Sequence, residues 1–175
     1  HPLELYSTRR SAIKYFEKEY ESQFDLYGIG WNEPATFSQR LLKSSYPRYT
    51  SYKGIVTDKS EVYPKYRFGL CYENAQVPGY ITEKIFDCLR SDCVPVYLGA
   101  PNVCDYIPQN VFIDRRQFNN DEQLANFLVN LNEQQYEQYQ QNIRNYLSGK
   151  QFSEFLSTTL AENIVDVLEK EIKAV

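Results

Sequence analysis

The chain has 175 residues, 42% of them hydrophobic and 24% charged, which is enough for one globular domain with a real core. Its formal net charge of −4, from 19 Lys and Arg against 23 Asp and Glu, argues against general nucleic-acid binding. No apolar run approaches the length of a membrane span, and no secretory signal is present.

Leu3–Tyr6 reads as a strand, followed by Ser7-Thr8 as a cap and a helix to about Tyr20, with Ile13, Phe16 and Tyr20 on its apolar stripe. Arg9 and Arg10 stand in the first turn of that helix, where cations oppose the helix dipole by roughly 0.3–1 kcal/mol each. Either they are a solvated pair, or one of them reaches an anionic ligand that offsets the cost. Phe24–Tyr27 is a short strand running into Gly28-Ile29-Gly30-Trp31, which has two glycines of a dinucleotide fingerprint but lacks the third. Residues 32–57 are loop-rich, with a short helix around 38–43, and 58–65 read as another short helix.

The stretch 67–99, RFGLCYENAQVPGYITEKIFDCLRSDCVPVYLG, is the most informative in the chain. Phe68, Leu70 and Tyr72 alternate as in a strand, and Glu73–Gly79 is a polar loop. From Ile81 onward Ile85, Cys88 and Leu89 recur at helical spacing, and 94–98 is a run fit for a buried strand. A loop opening into a helix N-terminus offers unpaired N–H groups and the positive end of the dipole to an anion.

Beyond Gly99-Ala100-Pro101, residues 111–113 read as a strand. Helices then follow over 121–131 (inner face Leu124, Phe127, Leu128, Leu131), 133–147, and 153–173. Alternating strands and helices predict an α/β fold, a parallel sheet with helices on both faces, whose ligands bind beyond the carboxyl ends of the strands.

Several chemistries are excluded. There is no P-loop, no G-x-S-x-G and no D-x-D, and the sole His is at position 1, so Ser-His or Cys-His catalysis has no base. Four cysteines, at 71, 88, 93 and 104, lack a C-x-x-C pair or a His companion, which predicts buried reduced thiols and a cytoplasmic chain, with membrane association left open for a parent protein. The lack of Met and the start at His1-Pro2 predict a piece of a longer polypeptide. Sixteen tyrosines suit a polar ligand with flat faces, although semi-buried packing explains them as well.

The residues Tyr72-Glu73-Asn74, Tyr80-Ile81-Thr82-Glu83-Lys84, Val94-Pro95-Val96 and Gly99-Ala100-Pro101 resemble the donor-binding signature of the family 10 glycosyltransferases, the α-1,3/1,4-fucosyltransferases. The resemblance is dense over 66–116 and looser elsewhere. It implies the C-terminal, Rossmann-like half of a GT-B enzyme that binds GDP-fucose or GDP without an obligatory metal or other cofactor. On that basis residues 1–175 form a single donor-binding domain, with C-terminal helices from about 121. The N-terminal acceptor domain, with its general base and the glycan acceptor contacts, lies outside the chain.

The same resemblance implies that Arg10 and Lys84 neutralise the diphosphate while Asn74, Tyr80 and Glu83 hold nucleoside and sugar. Arg9, Glu73, Gly28 and Gly30 are secondary candidates, Arg9 because a one-residue slip would exchange it with Arg10. Singly these residues have plain readings: Glu83 as a first-turn acid, Lys84 as a solvated cation, Asn74 as a turn residue. The implied activity is inverting fucosyl transfer to a glycan, with little or none from the isolated chain. The alternative is a non-catalytic nucleotide-sugar or phosphate-binding module of the same fold.

Overall fold

The computed structural model describes residues 2–32, 48–155 and Val165. The helix expected over 38–43, and the part of the terminal helix beyond 155 other than Val165, lie outside the described residues.

The centre of the molecule is a β-α-β unit. Strand β3 (Phe68–Tyr72) leads through a ten-residue loop into α2 (Glu83–Arg90), which returns the chain to β4 (Val94–Leu98). β3 and β4 pair in parallel from Phe68↔Val94 to Tyr72↔Leu98. A parallel pair needs such a crossover, and α2 supplies it by burying Ile85, Cys88 and Leu89. The Cys71 thiol lies 3.3 Å from the Lys84 carbonyl, so Cys71 faces α2. Leu70 and Tyr72 therefore face the other way. There they border a cavity shared with α1 (Tyr6–Glu19) and α3 (Asp121–Asn130), which places helices on both faces of the sheet.

All five residues of β4 are buried. Pro95 is tolerated in this central strand for a positional reason. Val94 donates its N–H to Arg67 O in the β3 direction, so alternation turns position 95 toward the side of β5 (Ile113–Asp114). The β4–β5 pairing begins only at Val96↔Ile113.

Sharp turns are fixed by side chains. Asp92, in the left-handed region at φ 54°, joins α2 to β4. Its carboxylate accepts from Arg144 at 3.1 Å and Gln140 at 3.2 Å, both on α4 (Glu133–Leu147). α4 in turn begins with a capping box between Asn132 and Gln135. A short α5 (Lys150–Ser153) buries Phe152, and Phe155 beyond it rests 4.9 Å from the Phe86 ring.

Several expectations are corrected. The sheet is in two pieces, β3-β4-β5 and a parallel pair of β1 (Leu26–Tyr27) with β2 (Tyr52–Gly54). Between the pieces the Tyr27 and Tyr66 hydroxyls meet at 3.0 Å, and Tyr66 also donates to Asp25. Leu3–Tyr6 is not a strand: only Glu4 bridges, to Ala75, and the helix already starts at Tyr6. Its first turn is served not by Ser7-Thr8 but by the Glu4 carboxylate, which accepts from Ser7 N at 3.2 Å.

The helix expected over 58–65 is two 3₁₀ turns, Lys59–Glu61 and Tyr63–Lys65, because Pro64 lacks the N–H that an α-helix would use. The Pro108 carbonyl accepts the Val111 N–H at 3.2 Å, so the start of the expected strand at 111–113 closes the 3₁₀ turn Gln109–Val111, leaving β5 as Ile113–Asp114. Phe127, expected inside, is exposed and packs on Phe118. Cys71, Cys88 and Cys93 are buried free thiols, but Cys104 is exposed. Among the described residues no helix is long and apolar enough to cross a membrane.

Candidate functional site

The site is built where β3 ends. Glu73 donates its backbone N–H to Leu98 O at 2.8 Å, one rung beyond the last β3–β4 pair, so the ladder itself sets its direction. Its side chain falls on the α2 face, as Cys71 does. One carboxylate oxygen, Oε1, accepts the backbone N–H of Thr82 at 2.7 Å. The other, Oε2, accepts the Thr82 hydroxyl at 2.7 Å and the Lys84 ammonium at 3.1 Å. Lys84 Nζ also donates to Thr82 Oγ1 at 2.8 Å, closing a three-membered ring of contacts.

Of the N–H groups at the start of α2, that of Thr82 is thus held by the protein's own carboxylate. Glu73 is completely buried, whereas the Lys84 side chain keeps 24% of its surface.

The next strand closes over Glu73. A Cβ on Gly99 would lie 2.5 Å from Glu73 Cγ and 2.3 Å from the Tyr97 hydroxyl, so only glycine fits there. That hydroxyl accepts the Ala100 N–H at 3.0 Å. Burial, with Glu73 nearby, pushes the Tyr97 phenol up and keeps it neutral.

Arg9 approaches the same strand end from α1. Its Nη2 donates to Tyr72 O at 2.5 Å, Glu73 O at 2.8 Å and Asn74 Oδ1 at 3.0 Å. Burial pulls its pKa below the ordinary value, and Tyr6, Glu73 and Tyr80 push it back up. Leu5 N–H donates to Asn74 O at 3.0 Å, so helix start and loop are held at two points. Arg10, the first choice from the sequence, is exposed, and its charge falls on Tyr49 instead. The physical reason is helical phase: one residue is about 100° of rotation, enough to carry a side chain off the sheet-facing side.

The remaining candidates are placed as follows. Tyr80 is exposed at the tip of the loop, next to Gly79, whose N–H donates to Asn102 Oδ1 at 2.8 Å. Glu83 is exposed, 3.7 Å from Lys84 and 3.8 Å from Lys59. Burial, the largest single influence, raises its pKa, but its own backbone N–H, the two lysines and Thr82 together outweigh that and hold it low. Gly28 has φ 133° and closes the β1–β2 pair, donating to Gly54 O at 3.0 Å while its carbonyl accepts from the Tyr52 hydroxyl. Gly30, at φ 82°, stands in open space.

A cavity of about 690 Å³ runs between the two sheet pieces, and Arg9, Lys84 and Gly28 all line it, with Trp31, Tyr27 and Tyr66. Asn74, Tyr80, Glu83, Gly30 and Arg10 are not in its lining. Sequence reasoning missed Thr82, Tyr97 and Gly99 as parts of the site. The signal was present: Thr-Glu-Lys opens the helix, and Gly99 opens the Gly-x-Pro turn.

Residues 6–165 match the family model of the C-terminal region of glycosyltransferase family 10 (fucosyltransferase). The chain is 38% identical over 74 residues to the alpha-(1,3)-fucosyltransferase FucT of Helicobacter pylori, covering 42% of this chain and 15% of that protein. It is 42% identical over 66 residues to an alpha-(1,4)-fucosyltransferase of Arabidopsis thaliana, covering 38% and 16%. It is 37% identical over 101 residues to GDP-fucose protein O-fucosyltransferase 3 of Canis lupus familiaris, covering 56% and 20%. The matched regions thus span 15–20% of the length of these relatives. Among solved structures the chain is similar to an alpha1,3-fucosyltransferase with GDP, at 31% identity, 55% of this chain, 28% of that chain and a TM-score of 0.47.

Proposed function

This chain belongs to glycosyltransferase family 10, the fucosyltransferases, and from that premise we propose that it is the GDP-fucose-binding domain of an inverting α-1,3/1,4-fucosyltransferase. The observation that carries the reading is that two partly buried cations, Arg9 and Lys84, line one cavity that runs along β3, with Arg9 fixed at that strand's carboxyl end. Open α/β sheets bind their ligands at such strand ends.

An ammonium has three N–H donors. Lys84 directs one to Glu73 and one to Thr82, which leaves one for a phosphate oxygen of the donor. As the bond between the fucose anomeric carbon and the β-phosphate oxygen breaks, negative charge grows on the departing GDP. A fixed ammonium and guanidinium stabilise that charge without having to reorganise. The acceptor hydroxyl attacks the opposite face of the anomeric carbon, and a base takes its proton. That base and most acceptor contacts belong to the acceptor-binding domain, outside residues 1–175. Asn74, Tyr80 and Glu83, on the loop and first helical turn beside Lys84, contribute nucleoside and sugar contacts in this reading.

Titration calorimetry with GDP, GDP-fucose and guanosine tests the proposal. GDP and GDP-fucose bind, Lys84→Ala weakens both about tenfold or more, and the chain alone transfers little or no fucose. Absence of GDP affinity overturns the reading. Robust transfer by residues 1–175 alone overturns the placing of the base elsewhere. Donor binding without transfer by the full-length parent protein identifies the non-catalytic module instead.

A further inference from the structure

Glu73 was a candidate ligand of the donor, and its surroundings give it a different task. The side chain has no exposed surface, both carboxylate oxygens are engaged, and Gly99 is packed so closely against Cγ that no ligand atom can reach it. A lone carboxylate in such a place would be strongly unfavourable, so a full set of donors has to accompany it. Those donors are Thr82 N, Thr82 Oγ1 and Lys84 Nζ, and of these groups only Lys84 lines the cavity.

We propose that Glu73 is a positioning residue: it never touches the donor, and acts by fixing the Lys84 ammonium, through Thr82, at the place where the diphosphate binds. The inference rests on the reading of Lys84 as a diphosphate ligand.

Two features separate this role from simple burial of a charge pair. First, the contacts are redundant and local. Thr82 Oγ1 donates to Glu73 and accepts from Lys84, so the threonine sets the angle at which the ammonium leaves the carboxylate. Second, the base of the unit is rigid. Glu73 sits on a β3–β4 rung, and Thr82 is the N-cap of α2, an element that buries Ile85, Cys88 and Leu89. A long, flexible lysine side chain loses most of its rotamer freedom when held in one place. Holding it before the donor arrives means that the donor does not bear that loss on binding.

The experiment compares GDP with guanosine, because their affinity ratio isolates what the diphosphate contributes. Lys84→Ala lowers the ratio about tenfold. Glu73→Gln, which keeps the shape and removes the charge, lowers it by a similar factor while guanosine affinity stays within twofold. The double variant shows no further loss. Thr82→Val lowers the ratio by a smaller factor, and it serves in place of Glu73→Gln should that variant not fold.

A second measurement uses nitrogen-edited NMR of the lysine ammonium groups. The Lys84 ammonium protons, held by Glu73 and Thr82, exchange slowly enough to be seen, and the signal vanishes in Glu73→Gln and in Thr82→Val. A ratio unchanged within twofold in a folded Glu73→Gln variant overturns the proposal, as does a change in guanosine affinity as large as that in GDP. If the wild-type chain binds no GDP, the donor-binding reading falls. In that case persistence of the Lys84 signal in Glu73→Gln overturns the positioning role separately.

Discussion

Arg9 Nη2 lies 3.0 Å from Asn74 Oδ1, and with the Leu5 N–H on Asn74 O this contact joins the start of the first helix to the loop that follows β3. Because the same nitrogen also donates to Tyr72 O and Glu73 O, the guanidinium is a clasp on the strand end as well as a charge beside the cavity. Arg9→Ala is expected to weaken GDP binding at least tenfold, and Arg10→Ala to change it less than twofold. Calorimetry on the two variants checks this, and the reverse order would show that the exposed Arg10 swings into the site.

Gly99 is the tightest packing point of the site. Adding a methyl group there places it 2.3 Å from the Tyr97 hydroxyl and 2.5 Å from Glu73 Cγ, and both neighbours are anchored. Gly99→Ala therefore costs about 1–3 kcal/mol, as overpacking of a core does. Gly30→Ala meets no neighbour but must adopt φ 82°, at a cost of about 1–2 kcal/mol. Urea midpoints rank the two. GDP titration separates them further, because only Gly99→Ala displaces Glu73 and, with it, Lys84.

The crossover helix is held to the sheet by a narrow stripe. Leu89 has no exposed surface, and Leu89→Ala is expected to cost about 2–5 kcal/mol, depending on how far the site collapses. Ile55, 56% exposed, serves as the control, with Ile55→Ala within about 0.5 kcal/mol of the parent. Equal losses in chemical denaturation would contradict the packing described for α2.

Alkaline pH should unfold the domain by a route that the buried hydroxyl and thiol groups define. Burial, followed by Cys71 and Cys93, pushes the Cys88 thiol well above its ordinary 9.0. Burial pushes Tyr136 and Tyr146 from 10.0 to about 12. These native values lie above the unfolded ones, so the unfolded chain loses its protons first as pH rises. The associated stability is fully present below about pH 9 and is lost between pH 9 and 12. Each tyrosine contributes a slope of about 1.4 kcal/mol per pH unit above pH 10. Urea midpoints at pH 8, 9.5, 10.5 and 11.5 should fall in that order, with the share of tyrosinate absorbance that belongs to the buried hydroxyls rising only as the protein unfolds. A flat series to pH 11.5 would count against the burial of these groups.

Much of the fold was legible because it depends on local periodicity. The stripe Ile85, Cys88, Leu89 and the uninterrupted apolar run of β4 specify a buried helix and a central strand, with little dependence on distant residues. Elements read wrongly were those where a proline or a cap was decisive, at 58–65, 111–113 and the start of α1. There a missing N–H, or a carboxylate three residues upstream, outweighs pattern.

For the site, the sequence alone determined the residue types and the strand–loop–helix frame in which Glu73, Thr82 and Lys84 come together, because all three belong to one contiguous supersecondary unit. The tertiary structure decided the rest. It placed Arg9, and not Arg10, on the strand end, because which side of a helix meets a sheet is a matter of packing phase rather than composition. It also turned Glu73 inward and set its carboxylate on the Thr82 N–H at the start of α2. That outcome depends on the β3–β4 register and on the space left by Gly99, a residue 26 positions away in the sequence that no local pattern could bring to Glu73.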